Sequence, residues 1–492
     1  MSRQVRRVST AMFALFAVLF VNLNYLQVVR ADALAHDQRN KRGLLREYEI
    51  ERGAILVGFG QQQKEIARSE KTQDRLRYLR RYPEGPLWAH ITGYYSFIFG
   101  RAQMEQAFND ALLGRAPSQF IRNLGDLLDG RKRPGDTLVT TLRPHVQEAA
   151  RAALGNRKGA VAAIDPATGE VLALWSFPSY DPNLLSSHDA EQIRAAWEPL
   201  ASSPDKPLIN RATQELYPPG STFKLVTAAA ALEQGMSPEA TFPDPRRATL
   251  PQTSAAIGNF GGGLCNGGNP ITLRRAVEVS CNTTFAQLGL RVGAEALITQ
   301  AERFGLNGEL GFQLPLEPSQ IPAQLDPPQT AQSAIGQRDV RVTPLQMAMI
   351  AGAIGNKGVL MTPQLVRRIQ DYAGRPVRSL DSRALAQAIS PQSAGELRDM
   401  MVGVVARGTG RAAAIDGVTV AGKTGTAESA PGRPPTVWFV GFAPADNPQI
   451  AVAVVLESGG GVGDEATGGR LAAPIARAVM QAGIASASLG GG

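Results

Sequence analysis

A serine and a lysine three residues apart, Ser221 and Lys224, stand at the junction of two unlike stretches. Before them runs Tyr217-Pro218-Pro219-Gly220, whose prolines and glycine end any preceding element and set the entry into a new one. After them, Leu225-Val226-Thr227-Ala228-Ala229-Ala230-Ala231-Leu232 is an apolar, alanine-rich run ending near Gly235, a helix with a glycine stop. Ser221 therefore falls at a helix N-terminus, where free backbone N–H groups and the positive dipole end favour negative charge. Lys224 lies one turn on along the same face, so its amine can reach the serine hydroxyl. Serine is a poor nucleophile without a base beside it. An amine inside an apolar helix is desolvated toward its neutral, proton-accepting form. The pair reads as a Ser–Lys nucleophile. A capping serine beside a surface lysine is the plainer alternative for so short a match.

Two further stretches count against that alternative. Ser280-Cys281-Asn282 follows a helical pattern (Leu273, Ala276, Val277) and supplies a hydroxyl and an amide. Lys423-Thr424-Gly425-Thr426 follows the alternating Val418-Thr419-Val420-Ala421, a strand signal. S-x-x-K, S-x-N and K-T-G in this order resemble the signature of the penicilloyl-serine transferases, the class of penicillin-binding proteins and class A β-lactamases. Cys281 replaces the aspartate of the lactamase pattern, as penicillin-binding proteins commonly allow.

The elements that must position these residues follow from the rest of the chain. Its 492 residues suffice for two or three domains, and 43% hydrophobic with 19% charged residues is a globular balance. The net charge of +8 suits an anionic membrane surface or wall polymers. Nucleic acid is not expected as a partner of an exported chain. The clusters Arg39-Asn40-Lys41-Arg42, Arg77/Arg80/Arg81 and Arg131-Lys132-Arg133 read as solvated faces. His36, His90, His145 and His188 share no metal-ligand spacing, and no G-x-S-x-G elbow occurs. Neither a metal nor a cofactor is expected.

Behind Arg3, Arg6 and Arg7 lies Val8 to Val29, a charge-free stretch that would span roughly 33 Å as a helix. The basic flank places the N-terminus in the cytoplasm and the remainder outside. A cleaved signal peptide is the competing reading, with an A-x-A at Ala33-Leu34-Ala35. The expected organisation is anchor 1–29, pedestal 30–156, catalytic domain 157–484 and flexible tail 485–492. In the pedestal, Gln103 to Leu113 reads as a helix. In the catalytic domain, strands at Gly159 to Ile164 and Glu170 to Trp175 form a hairpin across the turn Asp165 to Gly169. Later strands are expected at Lys423 to Glu428, Thr436 to Phe442 and Ile450 to Leu456, with a helix at Leu471 to Ala482. Together they predict an α/β (α+β) fold: one antiparallel sheet flanked by helices. Ser458 to Gly469 reads as a mobile loop and Gly490-Gly491-Gly492 as a frayed end.

Two cysteines in an exported domain can pair. The glycine-rich loop Gly258 to Gly268 could fold Cys265 against Cys281, closing a loop of about 16 residues, worth roughly 3 kcal/mol. Two free thiols is the alternative.

Over nearly its whole length the chain resembles a class B penicillin-binding protein, a peptidoglycan D,D-transpeptidase, most closely the actinobacterial division-associated type. Besides the three motifs, the resemblance rests on Arg52-Gly53, Gly100 to Leu113, Ser176 to Asn183, Asn210-Arg211-Ala212 and Ala334-Ile335-Gly336-Gln337. Leu56-Val57-Gly58-Phe59 departs from the usual Asp-Arg-Asn-Gly turn, and Arg338 stands where glycine usually follows I-G-Q. The resemblance implies that Ser221 is acylated by stem peptides derived from lipid II, releasing D-alanine, and by β-lactam antibiotics. Carboxypeptidation would be a side activity. It casts Lys224 as base, Ser280 as proton relay, Asn282 as support for Lys224 and the substrate amide, and Lys423 as a positive field. Thr424, Gly425 and Thr426 become the substrate-binding strand. With no glycosyltransferase domain before the pedestal, glycan polymerisation is expected of a partner, a SEDS-family polymerase among divisome proteins. A β-lactamase and a non-catalytic β-lactam sensor are the rival readings.

Overall fold

A computed structural model describes residues 3–30, 46–59, 63–115, 134–427, 434–461 and 466–487. The clusters at 39–42 and 131–133, the A-x-A at 33–35, Glu428 and the glycine tail lie outside the described residues.

Helix α1 (Arg3–Asn24) continues as a π-helical turn, Tyr25–Val29. This is the span expected to be apolar, and it buries nothing: Phe13 is 79% exposed and Phe20 70%. A helix long and apolar enough to cross a bilayer, with no protein against it, is consistent with a membrane anchor.

The pedestal contributes β1 (Ile55–Val57), β2 (Lys64–Lys71), β3 (Tyr78–Arg81) and β4 (Thr137–Thr140). Arg80, read above as solvated, is buried. Its guanidinium bonds the Glu105 carboxylate at 2.6 Å and the Gly53 carbonyl at 2.8 Å, while Arg52 takes the other Glu105 oxygen at 2.5 Å. A carboxylate with two guanidiniums satisfies a buried charge that one partner would leave costly. The expected helix 103–113 is interrupted at Phe108 (φ −113°), giving Gln103–Ala107 and Asn109–Leu112. At the break the Asn109 side-chain oxygen accepts from Arg52 at 2.8 Å and from Arg101. That polar demand takes precedence over a continuous helix.

Next come α2 (Pro144–Leu154), β5 (Gly159–Ile164), β6 (Val171–Phe177), α3 (Lys224–Glu233), α4 (Leu273–Val279), α5 (Asn282–Val292) and α6 (Pro344–Gly355). They are followed by β7 (Val366–Gln370), β8 (Pro376–Ser379), α7 (Pro391–Arg407), β9 (Ala421–Ala427), β10 (Thr436–Ala443), β11 (Ile450–Leu456) and α8 (Gly468–Ala487). The catalytic sheet is antiparallel throughout, in the order β9-β10-β11-β5-β6. Strand β9 starts later than the alternation at 418–421 implies, because the Val418 N–H donates to the Ile415 carbonyl at 3.1 Å in a turn. Gly468 and Gly469, read as loop, open α8, and residues 462–465 lie outside the described set.

Alternation along the strands sends successive residues to opposite faces. Trp438, Val440 and Phe442 join α3 and α6 in one core, while Val437 and Phe439 join α2 and α8 in the other. Helix α6 is buried from Pro344 to Ile354, which explains why it is apolar on every side. The pedestal sheet runs β8-β7-β4-β1-β2-β3, so two of its strands come from far down the chain. Val366 pairs with Thr140 and Ile369 with Leu138.

Candidate active site

Ser221 sits in a 3₁₀ turn, Gly220–Thr222, that leads into α3, whose first residue is Lys224. Three bonds pin the turn. The Gly220 N–H donates to the Gly336 carbonyl at 2.9 Å, the Thr222 hydroxyl to the Pro219 carbonyl at 2.7 Å, and the Trp438 indole to the Pro218 carbonyl at 3.0 Å. Gly220 is left-handed (φ +52°), and a Cβ there would fall 2.6 Å from the Thr426 carbonyl oxygen. Only glycine allows the nucleophile turn this close to β9.

The Lys224 amine is fully buried. It donates to the Ser280 carbonyl at 2.8 Å and to the Asn282 side-chain oxygen at 2.7 Å, and lies 3.3 Å from the Ser280 hydroxyl. Burial, reinforced by the nearby Lys423 charge, holds it well below the usual lysine range. Among the described residues no hydrogen bond joins it to the Ser221 hydroxyl, because Ser280 and Asn282 occupy its donors. In an unliganded site such a contact can tighten only when substrate binds.

Ser280 caps α4 in a left-handed conformation (φ +60°), Cys281 is the bend, and Asn282 opens α5. A non-glycine residue there is strained, and the surroundings hold it. Asn259, on the glycine-rich loop, accepts from the backbone N–H groups of Asn282 and Thr283, both at 3.0 Å, capping α5 from a distance. The Asn282 amide donates to the Gly258 carbonyl at 3.0 Å. Cys265 and Cys281 form a disulfide, with Cα atoms 5.8 Å apart. Asp244 fixes the loop's far side by accepting from the backbone of Cys265 at 2.9 Å and of Asn266 at 2.6 Å.

On β9 the buried Lys423 amine donates to the Ser280 hydroxyl at 2.8 Å and to the Thr424 carbonyl at 2.9 Å, and burial pushes it down to about 7. The Thr424 hydroxyl shares a 2.6 Å hydrogen bond with that of Thr409. Gly425 lets the strand approach, since a Cβ would lie 2.9 Å from the Thr222 methyl. Ser221, Ser280, Asn282, Thr424, Gly425 and Thr426 line one cleft of about 1200 Å³, with Lys224 and Lys423 buried beneath it. The arrangement is a hydroxyl nucleophile beside two amines of depressed basicity, suited to acyl transfer.

Sequence reasoning missed Asn259 and Thr409, which also line the cleft, and Glu278. The buried Glu278 carboxylate pairs with Arg275 at 3.0 Å and with Arg407, and its carbonyl accepts from the Thr409 N–H at 3.2 Å. The break Gly408-Thr409-Gly410 after a long helix was the available signal for Thr409.

Comparison with known proteins agrees with this geometry. Residues 159–481 match the penicillin-binding protein transpeptidase domain, and residues 52–138 the penicillin-binding protein A dimerisation domain. The chain is 41% identical to the peptidoglycan D,D-transpeptidase PbpA of Mycolicibacterium smegmatis, over 99% of this chain and 100% of that protein. It is also 41% identical to PbpA of Mycobacterium tuberculosis, over 98% and 99% respectively. The ceftriaxone acyl-enzyme structure of penicillin-binding protein A from M. tuberculosis superposes with a TM-score of 0.85 at 40% identity, covering 89% of this chain and all of that one. With its cleft, its three motif segments and these relatives taken together, the chain belongs to the penicillin-binding protein transpeptidases.

Proposed function

We propose that this chain is a peptidoglycan D,D-transpeptidase in which Ser221 forms an acyl-enzyme with a stem peptide ending in D-Ala-D-Ala. One observation carries the reading. The Ser280 hydroxyl stands 3.3 Å from one buried amine, Lys224, and 2.8 Å from another, Lys423, beside a cleft that opens on Ser221. Relatives named D,D-transpeptidases along the whole chain support the activity, and their β-lactam acyl-enzymes support the covalent step.

In this mechanism neutral Lys224 takes the Ser221 proton as the oxygen attacks the penultimate carbonyl carbon. Backbone N–H groups of Ser221 and Thr426 receive the oxyanion; one such donor is worth on the order of 10²–10³ in rate. The C–N bond to the terminal D-alanine breaks, and Ser280 relays the proton to the leaving nitrogen. Thr424 and Thr426 hold the terminal carboxylate, Lys423 supplies positive field, and Asn282 keeps Lys224 in place and meets the substrate amide. An acceptor amine from a second stem peptide then attacks the ester carbonyl carbon and gives its proton to Lys224. The C–O bond to Ser221 breaks, and Lys224 passes that proton to the departing Ser221 oxygen, which restores the free enzyme.

Finer assignments belong to the same proposal. Arg3, Arg6 and Arg7 support a cytoplasmic tip with the catalytic domain on the outer side of the cell membrane. The family resemblance supports a SEDS-family polymerase and divisome proteins as partners, which co-purification from membranes would test. The decisive experiment for the activity supplies a synthetic D-Ala-D-Ala donor with a D-amino acid acceptor. Exchange product is expected; hydrolysis alone would make the chain a D,D-carboxypeptidase, and no processing of the donor would move it to the β-lactamase or sensor reading.

A further inference from the structure

The two lysines of the site are buried under the cleft, and among the described residues its wall carries a single charged side chain, Arg338, and no carboxylate. Arg338 follows Ala334-Ile335-Gly336-Gln337, and its backbone is left-handed, with φ +63°. Side chains other than glycine adopt that conformation rarely. The loop that carries it is docked on the nucleophile helix. Gly220 donates to the Gly336 carbonyl at 2.9 Å, Thr227 to the Ala334 carbonyl at 2.8 Å, and the Arg341 guanidinium to the Arg338 carbonyl at 2.5 Å. The backbone of Arg338 is thus held relative to Ser221, while its side chain stays 41% exposed at the cleft. Its ion-pair partner is the adjacent Asp339 at 3.2 Å, itself 63% exposed. Such solvated pairs contribute little. A ligand carboxylate meeting the guanidinium fork side-on can displace this one.

We propose that Arg338 is a specificity-determining residue that binds a carboxylate of the donor peptide upstream of the scissile bond. The enzyme would thereby favour stem peptides with a free carboxylate there over the same peptides with a carboxamide. This inference rests on the transpeptidase reading, in which Thr424 and Thr426 already take the terminal carboxylate. A guanidinium on a separate loop matches a second one.

The test uses two synthetic donors identical except for a carboxylate or a carboxamide on the side chain of the residue preceding the two D-alanines. For the wild type, kcat/KM for exchange is expected to favour the carboxylate donor about tenfold, the size of one charge-assisted hydrogen bond. In R338G the ratio should fall to about one. Glycine relieves the left-handed backbone and adds unfolded-state entropy, two effects of similar size, so R338G should melt close to wild type. R338K should keep part of the preference, and added salt should erode it. Equal use of both donors by the wild type, or an undiminished preference in R338G, overturns the proposal. So does a large fall in the melting temperature of R338G, beyond what the chain entropy of one glycine costs, which would give Arg338 an architectural role. Absence of exchange with either donor would instead overturn the transpeptidase reading itself.

Discussion

The Lys423 amine donates to the hydroxyl of Ser280 at 2.8 Å, and that bond ties the third motif to the second. The same hydroxyl lies 3.3 Å from Lys224. Two amines that share one hydroxyl in a dry site do not both hold protons easily. Burial lowers both, the Lys423 charge lowers Lys224 further, and Lys224 is thereby kept ready as a base.

That relationship predicts a pH profile. Lys224 lies well below its ordinary value of 10.5 and Lys423 near 7. The second-order rate of acylation by penicillin should fall on the acid side as Lys224 is protonated. It should fall on the alkaline side, with a midpoint near 7 in the free enzyme, as Lys423 loses its charge. A rate still climbing at pH 9 would show that Lys423 stays charged. The stability sign follows from the same shifts. For each lysine the unfolded chain binds more protons than the folded one between its lowered folded value and the ordinary 10.5, so both lysines cost stability at low pH. For Lys423 that cost fades as pH rises from about 7 toward 10.5. K423M should therefore gain melting temperature over wild type at pH 6 and lose most of that gain by pH 10.

Removing the nucleophile should separate chemistry from fold. S221A is expected to abolish covalent labelling by fluorescent penicillin with the melting temperature retained, since Ser221 makes no side-chain hydrogen bond among the described residues. K224A should lose nearly as much labelling, because a nucleophile and its base act as one unit and their losses do not add. Undiminished labelling of either variant would refute the assignment.

The disulfide predicts a coupled loss of stability and rate. Cys265 and Cys281 are 16 residues apart, a closure worth roughly 3 kcal/mol in the chain-entropy model. The loop it secures also caps α5 through Asn259 and holds Asn282 through the Gly258 carbonyl. C265S should melt lower and acylate more slowly. Intact mass after alkylation without reductant should show no modified thiol, and two alkylated cysteines would reject the bond in solution.

What could be read in the sequence was what local spacing encodes. Ser221 and Lys224 share one helical turn, and the catalytic strands β10 and β11 read as short continuous apolar runs because each buries both faces. The rest depends on contacts that no local pattern announces. Val366 and Thr140 pair although far apart in the chain, so no local pattern announced that strands β7 and β8 join the sheet of β1 to β4. Arg80 looked like a surface charge because Glu105, which buries it, is distant in sequence. Asn259 caps a helix from another loop, and the left-handed Ser280 has no compositional signature.

The last prediction is that β-lactams are trapped and not turned over. Fast hydrolysis of the penicilloyl ester requires a base that aims water at it. The class A β-lactamases, which the motifs also resemble, place a glutamate of an E-x-x-L-N segment there. Between the second and third motifs this chain has Glu295, Glu302, Glu309, Glu317 and Glu396, and none begins such a segment. None of them lines the cleft either. Lys224 alone must then serve the incoming nucleophile, and a retained drug ring fragment blocks its approach to the ester. The expected course is one fast acylation per Ser221 followed by very slow recovery, seen as a stoichiometric burst with a chromogenic cephalosporin. Steady hydrolysis at many turnovers per second would mean that another group activates water and would place the protein among the β-lactamases.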